Sequence, residues 1–382
     1  MKRSGTFFTG YLAVVVIFLA GCATGSVKTA PDVEVKKEAY FYPPLPNSPR
    51  IQYLTTFSSE RDIVPVQEKN DFAKFILGEE DDLEGQKLLQ PYGAAMYKGK
   101  LYVADTAGRC LVVFDLAKQQ FYVIPGSGNG RFSKPINISI DVDGTKYITD
   151  TAANQVLVYD STDRFVNAFG TEGQFKPVGL AISGEKLYVT DIKNHQVHVL
   201  EKRTGKTLFK FGKWGPDPGD LFNPTNVAVG PDGDVYVAET GNYRIQRFTS
   251  EGKSVRVYGS VGTVAGNFAR PKGVAVDKDG RIYVVDNAFQ NIQIFNNGGG
   301  LLSILSGEGA GKDGFFNLPV VVNIDYDNVA YFKRYAHEKF TIEYVFFVVS
   351  QFIPNKVDVF GFGKMSGYDY PPDNLVPVKP AP

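Results

Sequence analysis

Residues 222–248 read FNPTNVAVGPDGDVYVAETGNYRIQRF, and their pattern settles the architecture. Pro224 and Asn226 open a strand through Val227-Ala228-Val229. Pro231-Asp232-Gly233 is turn chemistry, because Pro sets φ and Gly accepts φ > 0. Val235-Tyr236-Val237 returns with residues that suit a pleated surface. Glu239 to Asn242 turns again, and Ile245 to Phe248 forms a third strand. So short a unit cannot bury both faces alone, so it needs neighbours of its own kind.

Those neighbours stand on either side. The pattern recurs from Pro91, Pro135, Pro177 and Pro271, and a degenerate copy starts at Pro319, giving a period of 42 to 48 residues. A strand-rich repeat of this length predicts an all-β, six-bladed β-propeller with one four-stranded blade per repeat. Five repeats show an outer strand, but the sixth does not. The spare strand is Ile51–Phe57, which is expected to complete blade six and close the ring. Asn70-Asp71 offers an N-cap for a short helix through Phe72–Leu77.

The blades resemble NHL repeats. The cues are a Pro before a strand, an Asp-Gly hairpin, Tyr-Val-x-Asp/Glu, and turns such as Gly241-Asn242-Tyr243-Arg244-Ile245 and Lys193-Asn194-His195-Gln196-Val197. The resemblance covers residues 88–332 and implies the propeller fold. On function it implies only a range, from protein-binding scaffolds and RNA-binding modules to metal-dependent lyases and lactonase-like enzymes.

The chain start carries a separate message. Lys2 and Arg3 precede an apolar run, Tyr11–Leu19, too short to span a bilayer. It ends in Leu19-Ala20-Gly21-Cys22, which resembles a bacterial lipobox. The resemblance implies a signal peptide over 1–21 and acylation of Cys22 with palmitate-class chains. Each buried CH₂ is worth ~0.8 kcal/mol, so several chains hold a protein on a membrane. Ala23, rather than Asp, follows the Cys, which favours the outer membrane. Residues 22–50 read as a Pro-rich tether, 51–363 as the propeller and 364–382 as a Pro-rich tail.

Forty-one Lys and Arg balance 41 Asp and Glu, so no whole-chain charge points to nucleic acid. Beyond Cys22 the only cysteine is Cys110, which cannot form an internal disulfide and reads as a small buried hydrophobe.

Asp105, Asp150, Asp191, Glu239 and Asp286 end the second strand of five blades. Such carboxylates can accept backbone N–H groups of the following turn, and repetition in five blades fits that structural role. They would hold a channel metal only in an enzyme. Asp141 and Asp277 resemble the start of calcium loops, but Ala152 and Ala288 stand where a bidentate Glu is needed. His195 and His198, three apart in a strand context, would face opposite sides. No cofactor is expected, with calcium or zinc held by carboxylates as the alternative.

Blade six departs from the pattern. Taking Val329-Ala330-Tyr331 as its second strand and Val357–Phe360 as its third leaves an insert at 333–356, and Arg334 replaces the acid. Arg334, Tyr335, His337, Lys339, Tyr344, Phe346 and Phe347 are candidates for docking a partner. The expected function is a lipid-anchored, monomeric, non-enzymatic envelope scaffold that binds another envelope protein. A lyase or lactonase, and a binder of carbohydrate or peptidoglycan fragments, are the alternatives.

Overall fold

The computed structural model describes residues 39–64, 85–171, 173–306 and 314–370. The apolar leader, Cys22 and the Asn70–Leu77 segment lie outside the described residues, as do most of the tether and of the tail. The described chain forms six antiparallel sheets, five with four strands in sequence order. Blade one spans Pro91–Ile124, blade two Pro135–Phe169, blade three Pro177–Phe211, blade four Pro224–Tyr258 and blade five Pro271–Ser306. Blade six holds Pro319–Asp325, Phe340–Ser350 and Lys356–Met365, with Ile51–Phe57 hydrogen-bonded outside them as expected.

Proline has no N–H for the ladder and so suits the first residue of a strand. Each blade opens on one, and five of these prolines face an acid across the first strand pair: Asp105, Asp150, Asp191, Glu239 and Asp286. In blade six Pro319 faces Ser350. This register corrects two expectations. Val329–Tyr331 is a 3-10 turn rather than a strand, and the acid's position belongs to Ser350, not to Arg334. The extra residues therefore precede the second strand. The reason is local and energetic. Asn328 is fixed by Asp325 and takes the Gly99 N–H at 2.8 Å, which holds the chain in a turn. The longer apolar run at 340–350 fills the doubly buried strand position.

Two boundaries also shift. Phe41–Tyr42 pairs with Ile51–Gln52 as a fifth strand, inside the expected tether. The last strand runs to Met365, past the expected end at 363.

Six buried apolar clusters fill the six interfaces between neighbouring blades. Each of the first five blades supplies a buried second-strand tyrosine three residues before its acid: Tyr102, Tyr147, Tyr188, Tyr236 and Tyr283. Phe347 holds that position in blade six.

At the waist of the channel the third residue of the first strand alternates: Gly93, Asn137, Gly179, Asn226, Gly273, Val321. The glycines let the next blade approach. A Cβ on Gly179 would sit 2.6 Å from the Asn226 Cα, and one on Gly93 2.7 Å from the Asn137 Cα. Backbone cannot yield cheaply there, and overpacking costs ~1–3 kcal/mol. Gly179→Ala should therefore lower unfolding free energy by about 2 kcal/mol in a urea titration. An unchanged midpoint would mean the blades are not held this tightly.

Hydroxyls pin the blades to one another. Thr106, Thr151 and Thr240 each follow an acid and donate to the opening proline carbonyl of the next blade, at 2.7, 2.6 and 2.6 Å. Asn287 does the same to Pro319 at 3.0 Å. Replacing Thr240 by Val keeps the shape but leaves the Pro271 carbonyl without that donor. The expected loss is ~1–2 kcal/mol, read as a lower denaturation midpoint with the fold intact.

Candidate functional site

The propeller has two faces. One carries the first hairpins, between the first and second strands. The other carries the second-to-third turns and the linkers between blades.

The five acids sit at the second-to-third turns and are fully occupied. Asp150 is buried and accepts the N–H groups of Ser133, Lys134 and Ala153 at 2.6 to 3.0 Å. Asp105 accepts those of Leu89, Gln90 and Gly108, and Asp286 those of Ala269, Arg270, Ala288 and Phe289. Each acid thus ties the turn after its strand to the linker before its own blade. Four residues later the chain takes φ of 51 to 57° in all five blades, at Arg109, Asn154, His195, Tyr243 and Gln290.

Two blades add side-chain partners. Glu239 bonds the Phe222 N–H, Asn242, Arg244 and Gln246. Asp191 meets His198 Nε2 at 3.0 Å in the core. Burial would raise the Asp191 carboxyl, but bonds from His198, the Lys176 N–H and Asn194 outweigh it and hold the group below its usual range. His195 belongs to the turn rather than the strand, and its Nδ1 accepts the Asn223 N–H at 3.2 Å. Cys110 opens the third strand of blade one, and burial, then the Asp105 charge, push its thiol up to about 12.

On the hairpin face the central channel forms a cavity of about 410 Å³. Aliphatic side chains such as Ile138, Leu180, Val227 and Val274 line it, with Lys278, Asp325, Tyr326 and Asp327 also in its wall. Burial, then proximity to Asp327, helps raise the Asp325 carboxyl. None of the five repeat acids lines this cavity, and its only aromatics are Tyr326 and Phe347. Among the described residues, no three His, Cys, Asp or Glu side chains gather as they would to hold a metal ion. The five acids do not fit calcium or zinc either, because their oxygens are already engaged by backbone N–H groups and, for Asp191 and Glu239, by side chains as well.

The blade-six candidates divide. Arg334 and Lys339 are exposed. Tyr335 and His337 are partly buried against the N-terminal strand, where Gln52 donates to the Tyr335 carbonyl and accepts the His337 N–H. Tyr344, Phe346 and Phe347 are buried and face no partner. The Tyr344 hydroxyl lies 2.6 Å from that of Tyr283 and 2.7 Å from Asp277, so it bolts blade six to blade five. Aromatics read from sequence as anchors for a partner are in fact anchors between blades, since an inner strand is buried on both faces.

The linker face looks different. Leu89, Trp214, Tyr243, Val261, Val264, Phe352 and Ile353 are all exposed there, from 39% for Tyr243 to 76% for Ile353. Trp214 stands on Phe222, which in turn meets His195 edge-on. Leu89, Trp214, Val261 and Val264 lie in linkers and Phe352 and Ile353 in the turn after Ser350, outside the repeat motif, so the motif gives them no signal, whereas Tyr243 stands within it.

Comparison with known proteins agrees with this architecture. The NHL repeat family matches residues 223–248 and 268–295, in blades four and five. A probable peptidyl-alpha-hydroxyglycine alpha-amidating lyase, pgal-1 of Caenorhabditis elegans, is 31% identical over 102 residues, 25% of this chain and 29% of that protein. Protein brain tumor of Drosophila melanogaster is 35% identical over 86 residues, 22% of this chain and 8% of its own length. The chain therefore spans under a third of either relative. Among solved structures, a Bacteroides thetaiotaomicron protein superposes with a TM-score of 0.56 at 17% identity, covering 81% of this chain and 75% of its own. XC5397 of Xanthomonas campestris, a gluconolactonase, gives 0.53 at 13% identity, covering 81% and 98%. The chain is a six-bladed β-propeller built with NHL repeats.

Proposed function

We propose that this protein is a lipid-anchored envelope scaffold that binds another envelope protein through its linker face. The anchor rests on Leu19-Ala20-Gly21-Cys22, and on the short apolar run before it. The docking surface rests on one observation: seven large apolar side chains are exposed on the linker face. Interfaces are held chiefly by a few aromatic and aliphatic anchors, worth ~2 kcal/mol or more each. Arg334 and Lys339 lie on the hairpin side, before the second strand of blade six, and stand apart from this surface.

In-cell crosslinking with mass spectrometry tests the reading. A triple variant, Trp214→Ala, Val261→Ser and Ile353→Ser, should keep its melting temperature and lose a specific envelope partner. Arg334→Ala with Lys339→Ala should keep the partner. Retention of the same captured proteins by the triple variant would end the docking proposal. Cys22→Ser should release the chain from the membrane fraction. The similarity to an amidating lyase favours a second reading, an enzyme of the lyase or lactonase kind. Stoichiometric calcium or zinc in purified protein would favour it over the scaffold.

A further inference from the structure

Counted from the opening proline, the seventh residue is an aspartate in three blades: Asp141, Asp277 and Asp325. Two of them are neutralised within the protein. Asp141 meets the Lys202 ammonium at 2.7 Å, and Asp277 the Arg281 guanidinium at 2.6 Å. Asp325 differs. One oxygen takes the Asn328 N–H at 2.7 Å and the other the Asn328 side-chain amide at 2.8 Å. Among the described residues it has no cation within ion-pair distance, and of the three it alone lines the hairpin-face cavity of about 410 Å³. A partly buried carboxylate without a counter-charge is costly. Burial raises its carboxyl, and an ammonium placed beside it would act in the opposite sense. The cation in the wall, Lys278, lies over the Tyr326 ring at 3.9 Å, and its backbone N–H donates to that tyrosine's hydroxyl at 2.8 Å. With Asp327 also in the wall, two carboxylates against one ammonium leave one negative charge in excess.

Below the rim the wall is uncharged. The sixth position is aliphatic in all six blades, from Met96 to Ile324. The fifth is Ala95, Ser139, Ala181, Ala228, Ala275 or Asn323, and small residues in five of the six leave the channel hollow there. Asn137 and Asn226 lie deeper, at the waist, and line the same cavity although they are only 6% and 4% exposed. Asn137 Oδ1 takes the Ile138 N–H at 2.8 Å, while its Nδ2 has no acceptor among the described residues. The Asn226 side-chain amide makes no hydrogen bond to any described residue. Buried amides are normally paired, so these two are open to something inside the cavity. From the seventh position to the third is a drop of four residues, roughly 13 Å at ~3.3 Å each. One cavity thus has an acid without a partner at its mouth, an aliphatic and roomy middle, and open amides at its floor.

We propose that the hairpin-face cavity binds a small linear primary amine, its ammonium on Asp325, its hydrocarbon body in the channel and a polar far end on the Asn137 and Asn226 amides. An amino alcohol or an amino amide has this chemistry. The side chains and hydrogen bonds at each end take up part of the drop, which leaves room for a body of about six carbons. The site is on the opposite face from the apolar docking surface and stands independently of it.

The test is isothermal titration calorimetry on the full-length chain with 6-amino-1-hexanol. Two matched probes accompany it: 1,6-hexanediol, which lacks the ammonium, and hexylamine, which lacks the polar end. The amino alcohol should saturate one site, with the diol at least tenfold weaker and hexylamine several-fold weaker. Asp325→Asn should bring the amino alcohol down to the level of the diol. Asn226→Ala should erase the advantage of the amino alcohol over hexylamine and leave the melting temperature unchanged, because that amide has no protein partner to lose. Should Asp325→Asn fail to fold, the comparison of the three probes on the parent still decides. Equal binding of diol and amino alcohol, no saturable binding of the amino alcohol at millimolar concentration, or full binding by a folded Asp325→Asn variant would overturn the site. The Trp214, Val261 and Ile353 triple variant should bind the amine like the parent, so failure of the docking surface is read separately.

Discussion

Deleting residues 39–57 should abolish the folded propeller, and supplying them as a separate peptide should restore it. Ile51–Phe57 forms a ladder of six registered pairs with Val357–Phe362. Ile51, Tyr53, Leu54 and Phe57 are buried, at 1%, 5%, 6% and 0% exposure. Burying each such side chain is worth ~1.5–3 kcal/mol, so the four contribute roughly 6–12 kcal/mol. That is comparable to the whole stability of an ordinary domain, about 5–15 kcal/mol. Deletion also bares the edge of the ten-residue strand Lys356–Met365, an invitation to aggregate. Size-exclusion chromatography and thermal melting read the outcome, with peptide 39–57 added in trans. A monomeric truncated chain with an unchanged melt would show that the ring closes without this strand.

Asp150→Ala should be among the most damaging single substitutions at the acids that lack a charged side-chain partner. Three backbone N–H groups in the buried turn would lose their acceptor together, and each orphaned donor costs ~1–3 kcal/mol. Water entering the vacated space would offset part of this, leaving a net loss of about 4 kcal/mol in urea unfolding. Asp150→Asn should recover only part, because its amide nitrogen cannot accept. Blade six shows the weaker arrangement already, with Ser350 Oγ taking the Asn317 N–H at 3.3 Å. A loss under ~1 kcal/mol for the alanine variant would mean the acids are not structural latches, and a role in binding would return.

The blade number, the opening prolines and the closing strand were legible because they repeat, and because Ile51–Phe57 was a strand without a partner in its own stretch. The acids were legible for the same reason, as their position after each Tyr-Val recurs. Blade six misled because Val329-Ala330-Tyr331 mimics the repeat over three residues. What decides the matter is nonlocal: the pairing of Pro319 with Ser350 and the hold of Asn328 on Gly99 in blade one. The aromatics at 344–347 gave the right composition for two opposite roles, and composition carries no burial.

The two ends of the propeller are clasped at blade six. Ser48 Oγ donates to the Asp369 carbonyl at 3.2 Å, the Tyr370 hydroxyl to the Pro49 carbonyl at 2.8 Å, and the Arg50 guanidinium lies over both Phe362 and Tyr370. The described polypeptide is thus a nearly closed loop of string whose knot is non-covalent. Such a molecule has no structurally privileged beginning. Joining its ends by a short peptide and cutting the loop elsewhere, for instance at the exposed Val142 in the first hairpin of blade two, should leave a ring of the same shape with its seam moved two blades away. The place where the ring is cut can be chosen freely, while the geometry of the ring belongs to the circle.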